Sequence, residues 1–127
     1  WEHSDKGLPT SKAYGDLAII TKSLFLATND GVYRSDNRAS TWKAYNKGLE
    51  GKTITRLVAG NGVLYAATNK GELFFSEDLA VTWKKIAIDF MQSPISGVCV
   101  TDKSIFVAVN GTGTKPSYVY YLPFLKK

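Results

Sequence analysis

The apolar residues of this chain recur with a period of two rather than 3.6. In the segment VLYAAT, at 63–68, both alternating sets of side chains are largely apolar. A strand with two apolar faces is typical of a sheet that lies between two neighbouring layers. Such runs are broken by turn sequences, Asn-Asp-Gly at 29–31 and Asn-Lys-Gly at 69–71. The pattern therefore predicts an all-β protein made of short antiparallel strands.

The same pattern predicts strands in three consecutive groups. They lie near residues 16–20, 23–28, 32–35 and 41–45, then 55–60, 63–68, 72–76 and 82–87, and finally 95–101, 104–109 and 117–122. No segment offers ten or more residues of helical periodicity with capping residues.

An internal repeat runs through these groups. The three tryptophans, Trp1, Trp42 and Trp83, are spaced 41 residues apart, and WEHSDKGLP at 1–9 matches WKAYNKGLE at 42–50. SLFLATNDG at 23–31, VLYAATNKG at 63–71 and SIFVAVNGT at 104–112 form a second matching set. Self-similarity at this period indicates stacked supersecondary units, and four short strands per unit is the make-up of a β-propeller blade.

The repeat predicts one β-propeller segment over residues 1–127. Within it we expect a strand of a preceding blade at 1–4, a blade at 5–45, a blade at 46–87 and an incomplete blade at 88–127. Propellers typically have four to eight blades, so three are too few to close a ring. We therefore expect either part of a larger ring or half of a six-bladed ring, with further blades or a second copy of the chain as partners.

Two octets at constant phase, SDNRASTW at 35–42 and SEDLAVTW at 76–83, resemble the Asp-box, Ser-x-Asp-x-Gly-x-Thr-Trp, of BNR-repeat (sialidase-like) β-propellers. The matching residues are Ser35, Asn37, Thr41 and Trp42 in the first octet and Ser76, Asp78, Thr82 and Trp83 in the second. The resemblance implies a structural hairpin between the third and fourth strands of each blade. Ala39 and Ala80 stand where the family has Gly, and a positive φ there would cost up to about 1 kcal/mol.

A catalytic site within this chain is not favoured, although the enzyme question stays open. Sialidase-like chemistry implies three arginines on the substrate carboxylate, whereas two of the three arginines here, Arg34 and Arg38, lie beside or inside an octet. Asp16, Asp30 and Glu50 could share one face, but nothing in their spacing selects them as the two facing carboxylates of a glycosidase.

The composition limits the classes of partner and cofactor that we expect. The net charge is +5, but the basic residues are scattered, so we expect no nucleic-acid surface. One His and one Cys form no zinc-type cluster, and we expect neither a metal nor another cofactor. No apolar run approaches the roughly 18 residues that cross a bilayer, which predicts no membrane span. Cys99, within SGVCVT, is expected to be a small core residue.

The turns opposite the octets carry a predicted binding rim. Its residues are Asn29, Asp30, Asn69, Lys70, Asn110 and Lys115. The recurring Asn after each second strand fits turn chemistry, because Asn tolerates left-handed backbone, and it also fits repeated polar contacts to a ligand. Tyr14, Tyr45 and Phe90 are candidates for stacking on a sugar.

The expected function is therefore a non-enzymatic binding or assembly module that recognises a protein or a glycan through this rim. The family resemblance implies an extracellular or periplasmic location. The alternative is a fragment of a larger glycoside hydrolase, sialidase- or xyloglucanase-like, whose catalytic residues lie outside this chain.

Overall fold

The computed structural model describes residues 2–9, 13–86, 95–111, 113–114 and 116–123, and every regular element in these ranges is a β-strand. The strands are β1 (Tyr14–Ile20), β2 (Ser23–Thr28), β3 (Gly31–Ser35), β4 (Lys43–Ala44), β5 (Ile54–Gly60), β6 (Val63–Thr68), β7 (Leu73–Ser76), β8 (Lys84–Lys85), β9 (Ile95–Val100), β10 (Ser104–Val109) and β11 (Tyr118–Pro123). They form three sheets with sequential antiparallel pairing: sheet 1 (β1–β4), sheet 2 (β5–β8) and sheet 3 (β9–β11). The all-β prediction is confirmed.

The core lies between the sheets rather than within one of them. One cluster joins sheets 1 and 2 through residues such as Phe25 and Leu64, and a second joins sheets 2 and 3 through residues such as Tyr65 and Ile105. Because neighbouring residues of β6 point to opposite faces, Leu64 and Tyr65 enter different clusters. Both apolar faces of VLYAAT are therefore packed, each in a different cluster.

The fourth strand of each complete sheet is shorter than expected. The predictions of 41–45 and 82–87 give only Lys43–Ala44 and Lys84–Lys85. The reason is that the tryptophan before each strand does not join the ladder. The backbone N–H of Trp42 donates to Lys6 O, and that of Trp83 donates to Lys47 O, both at 2.9 Å.

The indole rings make the same connection. Both rings are buried, and each Nε1 donates to a carbonyl of the preceding segment, from Trp42 to Ser4 at 2.7 Å and from Trp83 to Tyr45 at 3.0 Å. Each tryptophan therefore ties its sheet to the segment that precedes it, through one backbone and one side-chain hydrogen bond. We call this pair of bonds the Trp clasp.

A glycine follows each lysine of the clasp and allows the close approach. Gly7 and Gly48 have φ of 96° and 101°, in the left-handed region. A Cβ added to Gly7 would lie 2.2 Å from Trp42 O, and one added to Gly48 would lie 2.5 Å from Trp83 O. The repeated Lys-Gly-Leu phrase is thus explained by backbone contact, since only Gly tolerates both the φ and the distance.

The repeat spacing is not uniform along a unit. β2 pairs Leu24 with Ser35, and β6 pairs Leu64 with Ser76, so the leucines are 40 residues apart and the serines 41. The additional residue of the second unit, Glu72, lies in the turn between β6 and β7. The Lys-Gly-Leu phrases at 6–8 and 47–49 are 41 residues apart, whereas the equivalent strand residues Leu17 and Leu57 are 40 apart, so the segment leading into β5 is one residue shorter than the one leading into β1.

Cys99 is exposed, so the expectation of a core position is wrong. It pairs with Phe106, which is also exposed, whereas its neighbours Val98 and Val100 pack against the second core cluster. Cys99 therefore lies on the outer face of sheet 3, which no other described sheet covers.

Replacing Gly48 with Ala should lower the free energy of unfolding more than the same change at Gly62. Gly62 also has a positive φ, 76°, but no atom lies within 4 Å of its added Cβ. The strain alone costs about 1 kcal/mol, and the contact with Trp83 O should bring the loss at Gly48 to about 3 kcal/mol. Urea denaturation of both variants measures the difference, and equal losses would contradict the clasp.

Candidate functional site

The first octet forms a closed turn between β3 and β4. The Ser35 hydroxyl donates to Asn37 Oδ1 and accepts from the Ala39 N–H, both at 2.9 Å. Asn37 Oδ1 also accepts from the Thr41 N–H at 2.9 Å, and Asn37 Nδ2 donates to Thr41 Oγ1 at 2.8 Å. These polar groups bind one another and the turn backbone, which no ladder partner reaches.

The second octet repeats this arrangement with a carboxylate. The Ser76 hydroxyl donates to Asp78 Oδ1 at 2.8 Å and accepts from the Ala80 N–H at 2.9 Å, and the Thr82 N–H donates to Asp78 Oδ1 at 2.9 Å. The Thr82 hydroxyl donates to Asp78 Oδ2. Hydrogen bonds from Thr82, chiefly from its hydroxyl, lower the pKa of Asp78 to about 2. Asp78 is thus held as a carboxylate that supports a turn.

The backbone of both turns is left-handed at two successive residues. Arg38 and Ala39 have φ of 57° and 68°, and Leu79 and Ala80 have φ of 57° and 74°. The octet position that has Gly in Asp-box proteins therefore does adopt a positive φ here, with Ala accepting the strain.

Two of the clefts beside the octets are small. One of about 250 Å³ is lined by Arg34, Asp36, Asn37, Thr41, Trp42, Lys43 and Tyr45, and its counterpart of about 130 Å³ is lined by Phe75, Glu77, Asp78, Thr82 and Lys84. Both are below the roughly 300 Å³ at which small-molecule pockets begin.

Arg34, in the larger of these two clefts, makes contacts that stabilise the fold. Its Nε binds Asp36 at 2.8 Å, its Nη1 donates to Leu79 O at 2.9 Å, and its guanidinium lies 4.8 Å from the centre of the Tyr45 ring. The hydrogen bond from Arg34 also lowers the pKa of Asp36. Arg34 joins sheets 1 and 2 instead of facing a substrate.

The predicted rim is built on loops that hold one another by backbone contacts. Asn29 N–H donates to Ala13 O at 3.1 Å, and Asn69 N–H donates to Thr53 O at 3.1 Å. The Thr53 hydroxyl donates to Asn29 O at 3.3 Å, so Thr53 links the two asparagine turns. Thr53 was missed by the sequence interpretation, because nothing local to residue 53 indicates a contact with residue 29.

The rim asparagine side chains are exposed, and those of Asn29 and Asn69 make no hydrogen bond within the described chain. The positive φ of each turn belongs to the glycine that follows, 87° at Gly31 and 78° at Gly71, and not to the asparagine. Left-handed backbone is therefore not the reason for Asn at these two positions. Asn110 is exposed as well and has no positive φ.

Charge on the rim is mixed. The exposed Lys70 and the partly buried Asp30 flank the asparagines. Below them Glu72 binds Lys52 at 3.0 Å and Lys85 at 3.3 Å, and the hydrogen bond from Lys52 is the main cause of its lowered pKa. This three-residue cluster is a further feature that the sequence interpretation missed.

Of the candidate aromatic residues, Tyr14 is about half exposed and donates its hydroxyl to Pro9 O at 3.1 Å. Tyr45 is partly buried against the core beneath Arg34. Phe90 and the rim residue Lys115 lie outside the described residues.

The candidate carboxylates also serve local structure. Asp16 accepts from the Leu57 N–H at 3.0 Å and from the Leu17 N–H at 2.9 Å, which ties β1 to β5. Glu50 accepts from the Gly48 N–H at 2.9 Å, and this bond lowers its pKa, whereas a glycosidase general acid needs a raised one.

The described part of the chain contains no group of three or more His, Cys, Asp and Glu side chains placed to hold a metal ion. No helix in it has the length and apolar character needed to cross a membrane.

Replacing Asp78 with Asn should remove a pH-dependent contribution to stability and leave the turn intact, since Asn37 fills the same place in the first octet. A carboxyl whose pKa folding lowers stabilises the protein above the unfolded value, 3.8, and loses that contribution as the pH falls to the folded value, about 2. The stability difference from wild type, at most about 1 kcal/mol for so exposed a group, should shrink over that range. Acid titration of unfolding measures it. The reciprocal variant Asn37→Asp should gain the same dependence, and a difference that is constant with pH would contradict the assignment.

Replacing Ala39 with Gly should stabilise the protein, while Ala80→Gly should have little net effect. Relief of the positive φ favours Gly by up to about 1 kcal/mol at both sites. Ala80, however, is 0% exposed and belongs to the first core cluster, so losing its methyl costs about 0.8 kcal/mol. Urea midpoints report both values, and equal effects in the two variants would argue against this account.

Three solved structures that are similar to this chain share little sequence identity with it. YCF48 bound to D1 peptide is 10% identical with a TM-score of 0.58, over 87% of this chain and 40% of that chain. YCF48 from Cyanidioschyzon merolae is also 10% identical, with a TM-score of 0.59, over 91% of this chain and 44% of that one. The GH74 xyloglucanase from Xanthomonas campestris is 17% identical with a TM-score of 0.60, over 79% and 19% of the two chains.

These likenesses concern the fold, and this chain spans less than half the length of each of the three neighbours. Among curated proteins no match is found. The model of the DUF6242 beta propeller domain matches residues 1–115, nearly the whole chain. Together with the three antiparallel sheets, this match confirms the predicted β-propeller segment, and the chain belongs to the DUF6242 β-propeller domain family.

Proposed function

We propose that this chain is a non-enzymatic binding or assembly module of the BNR/Asp-box type, which recognises a protein or a glycan through its rim. The observation that carries the proposal is the pair of exposed amides, Asn29 and Asn69, on turns whose backbones are held together through Thr53. An amide offers both donors and an acceptor, so it suits peptide groups as well as sugar hydroxyls. Since the backbone is already fixed, little ordering would oppose binding.

The two ends of the sheets support this assignment of roles. At the octet end the polar groups of Ser35, Asn37 and Thr41 bind one another, whereas at the rim end the amides are left for a partner. Asp30 and Lys70 add one charge of each sign to the rim, which favours a partner of mixed polarity over a polyanion. YCF48, which shares the fold, is known in a complex with a peptide, and this likeness supports a protein partner.

The resemblance of the octets to Asp-boxes supports a location outside the cytoplasm, extracellular or periplasmic. Fractionation of cells that express the native gene tests this part of the proposal. Recovery of the protein only in the cytoplasm would count against it.

The second candidate, a fragment of a larger glycoside hydrolase, rests on the likeness to the GH74 xyloglucanase. Such an enzyme would use catalytic residues outside this chain. A hydrolysis screen of the longest native gene product against xyloglucan and sialosides separates the two proposals, because turnover would favour the enzyme and overturn the non-enzymatic module.

Replacing Asn29 and Asn69 together with Ala should weaken binding to peptides or glycans selected on arrays by about tenfold or more, since each lost hydrogen bond is worth about 1 kcal/mol. Stability should not change, because neither side chain is bonded within the described chain. The matched control replaces Lys43 and Lys84, two exposed residues of the outer strands, with Ala. Binding that survives the asparagine changes but not the lysine changes would place the site elsewhere.

A further inference from the structure

The two outer faces of the three-sheet stack carry exposed apolar side chains. The backward face is the outer face of sheet 1 and includes Leu17 and Ile19. The forward face is the outer face of sheet 3 and includes Phe106, Val119 and Tyr121, together with Cys99. Apolar side chains grouped on one face are a mark of an interaction surface.

The backward face repeats positions that are buried inside the stack. Strand register places Leu17 opposite Leu26 and Leu57 opposite Ala66, so Leu57 is the equivalent of Leu17 one unit later. Leu57 packs in the cluster between sheets 1 and 2 and is 4% exposed, whereas Leu17 is 61% exposed. The difference between them is that sheet 1 covers one and no described sheet covers the other.

The forward face has the same positions as the face of sheet 2 that packs against sheet 3. Tyr65 pairs with Phe75 in sheet 2, and Phe106 pairs with Tyr121 at the equivalent place in sheet 3. Tyr65 and Phe75 pack in the cluster that sheet 3 completes, and Tyr65 is 7% exposed, whereas its equivalent Phe106 is 36% exposed. The forward and backward faces are thus the two halves of a junction that the chain already makes twice.

We propose that two copies of this chain associate head to tail, with the forward face of each packed on the backward face of the other, so that they close a ring of six sheets. Such a contact is heterologous, and two equal contacts related by a two-fold axis end the assembly. The contact continues the packing of sheet 1 on sheet 2 and of sheet 2 on sheet 3.

Charge complementarity favours a second copy as the occupant. Inside the chain, Asn61 Nδ2 donates to Thr101 O at 3.2 Å, from the turn of sheet 2 to sheet 3. The equivalent of Asn61 in sheet 3 is Asp102, and the equivalent of Thr101 in sheet 1 is Ile20, two residues before Lys22. Asp102 of one copy would therefore reach the end of β1 of the other copy, next to the turn that carries Lys22, and both side chains are exposed in the single chain.

A second polar contact follows from the same equivalence. Arg34 of sheet 1 donates to Leu79 O of sheet 2, and the corresponding positions at the new junction are Tyr121 and Arg38. The Tyr121 hydroxyl would then donate to the Arg38 carbonyl of the other copy. Arg38 also lines a cleft of about 580 Å³ on the backward face, together with Ile19, Thr21, Lys22, Leu24, Asp36 and Asn37.

Sedimentation of the 127-residue chain over a range of concentrations tests the proposal. The expected particle has twice the 14.0 kDa mass of the chain. Ile19→Asp on one face, or Tyr121→Asp on the other, should give monomers, while Val81→Asp should not, because Val81 is an exposed apolar residue of the second octet turn and lies on neither face. A chain that stays monomeric at every concentration, or one that forms open polymers of growing length, would overturn the closed dimer.

Charge exchange separates a real contact from a folding defect. Lys22→Asp and Asp102→Lys should each weaken dimerisation by about tenfold, and the double variant should recover most of it. The Cys99 thiol gives an independent readout, because its equivalent Val58 packs against the second cluster. Alkylation of Cys99 should slow as the dimer forms, and a rate that is independent of concentration would contradict the proposal.

Discussion

The packing of successive sheets depends on a glycine that lies against a tryptophan carbonyl. Gly7 and Gly48 let the chain come close enough for the lysine carbonyl before each of them to accept the N–H of the tryptophan that opens the next short strand. The burial of Trp42 and Trp83 follows from that contact, and so does the transfer of the chain from one sheet to the next. Hydrophobic burial supplies most of the free energy of the stack, but the clasp fixes the phase at which the apolar faces meet.

Features that are encoded locally could be predicted from the sequence. The period-two pattern located all eleven strands, because strand side chains alternate wherever the strand lies. The octets were likewise placed in the turns between third and fourth strands. Contacts between distant residues could not be predicted from the sequence. The N–H of Trp83 donates to Lys47 O outside its own sheet, which shortens β8, and the Thr53 hydroxyl donates to Asn29 O. Cys99 was misplaced because an alternating pattern states that a face is apolar but not whether another sheet covers it.

The same side-chain types serve opposite purposes at the two ends of the sheets. In the octets, amide, carboxylate and hydroxyl groups satisfy one another, and one octet uses Asn37 where the other uses Asp78 with nearly the same geometry. At the rim, the amides of Asn29 and Asn69 stand on a backbone fixed by its neighbours, and their own groups face outward. Residue type alone therefore did not distinguish structural from binding positions, and the pattern of hydrogen bonds was needed.

The uneven repeat spacing has a consequence for how such a chain can diverge. The first two units differ in length at two places, the turn that holds Glu72 and the segment leading into β5, and both places are on the rim. Both places lie between the Lys and the Trp of one clasp, and because one gains a residue where the other loses one, 35 residues separate that Lys and Trp in both units. Insertions and deletions can therefore accumulate on one side of the molecule without disturbing the stacking on the other. Natural variants of this domain should change their recognition surface by altering loop length there, while the rest of the scaffold is inherited unaltered.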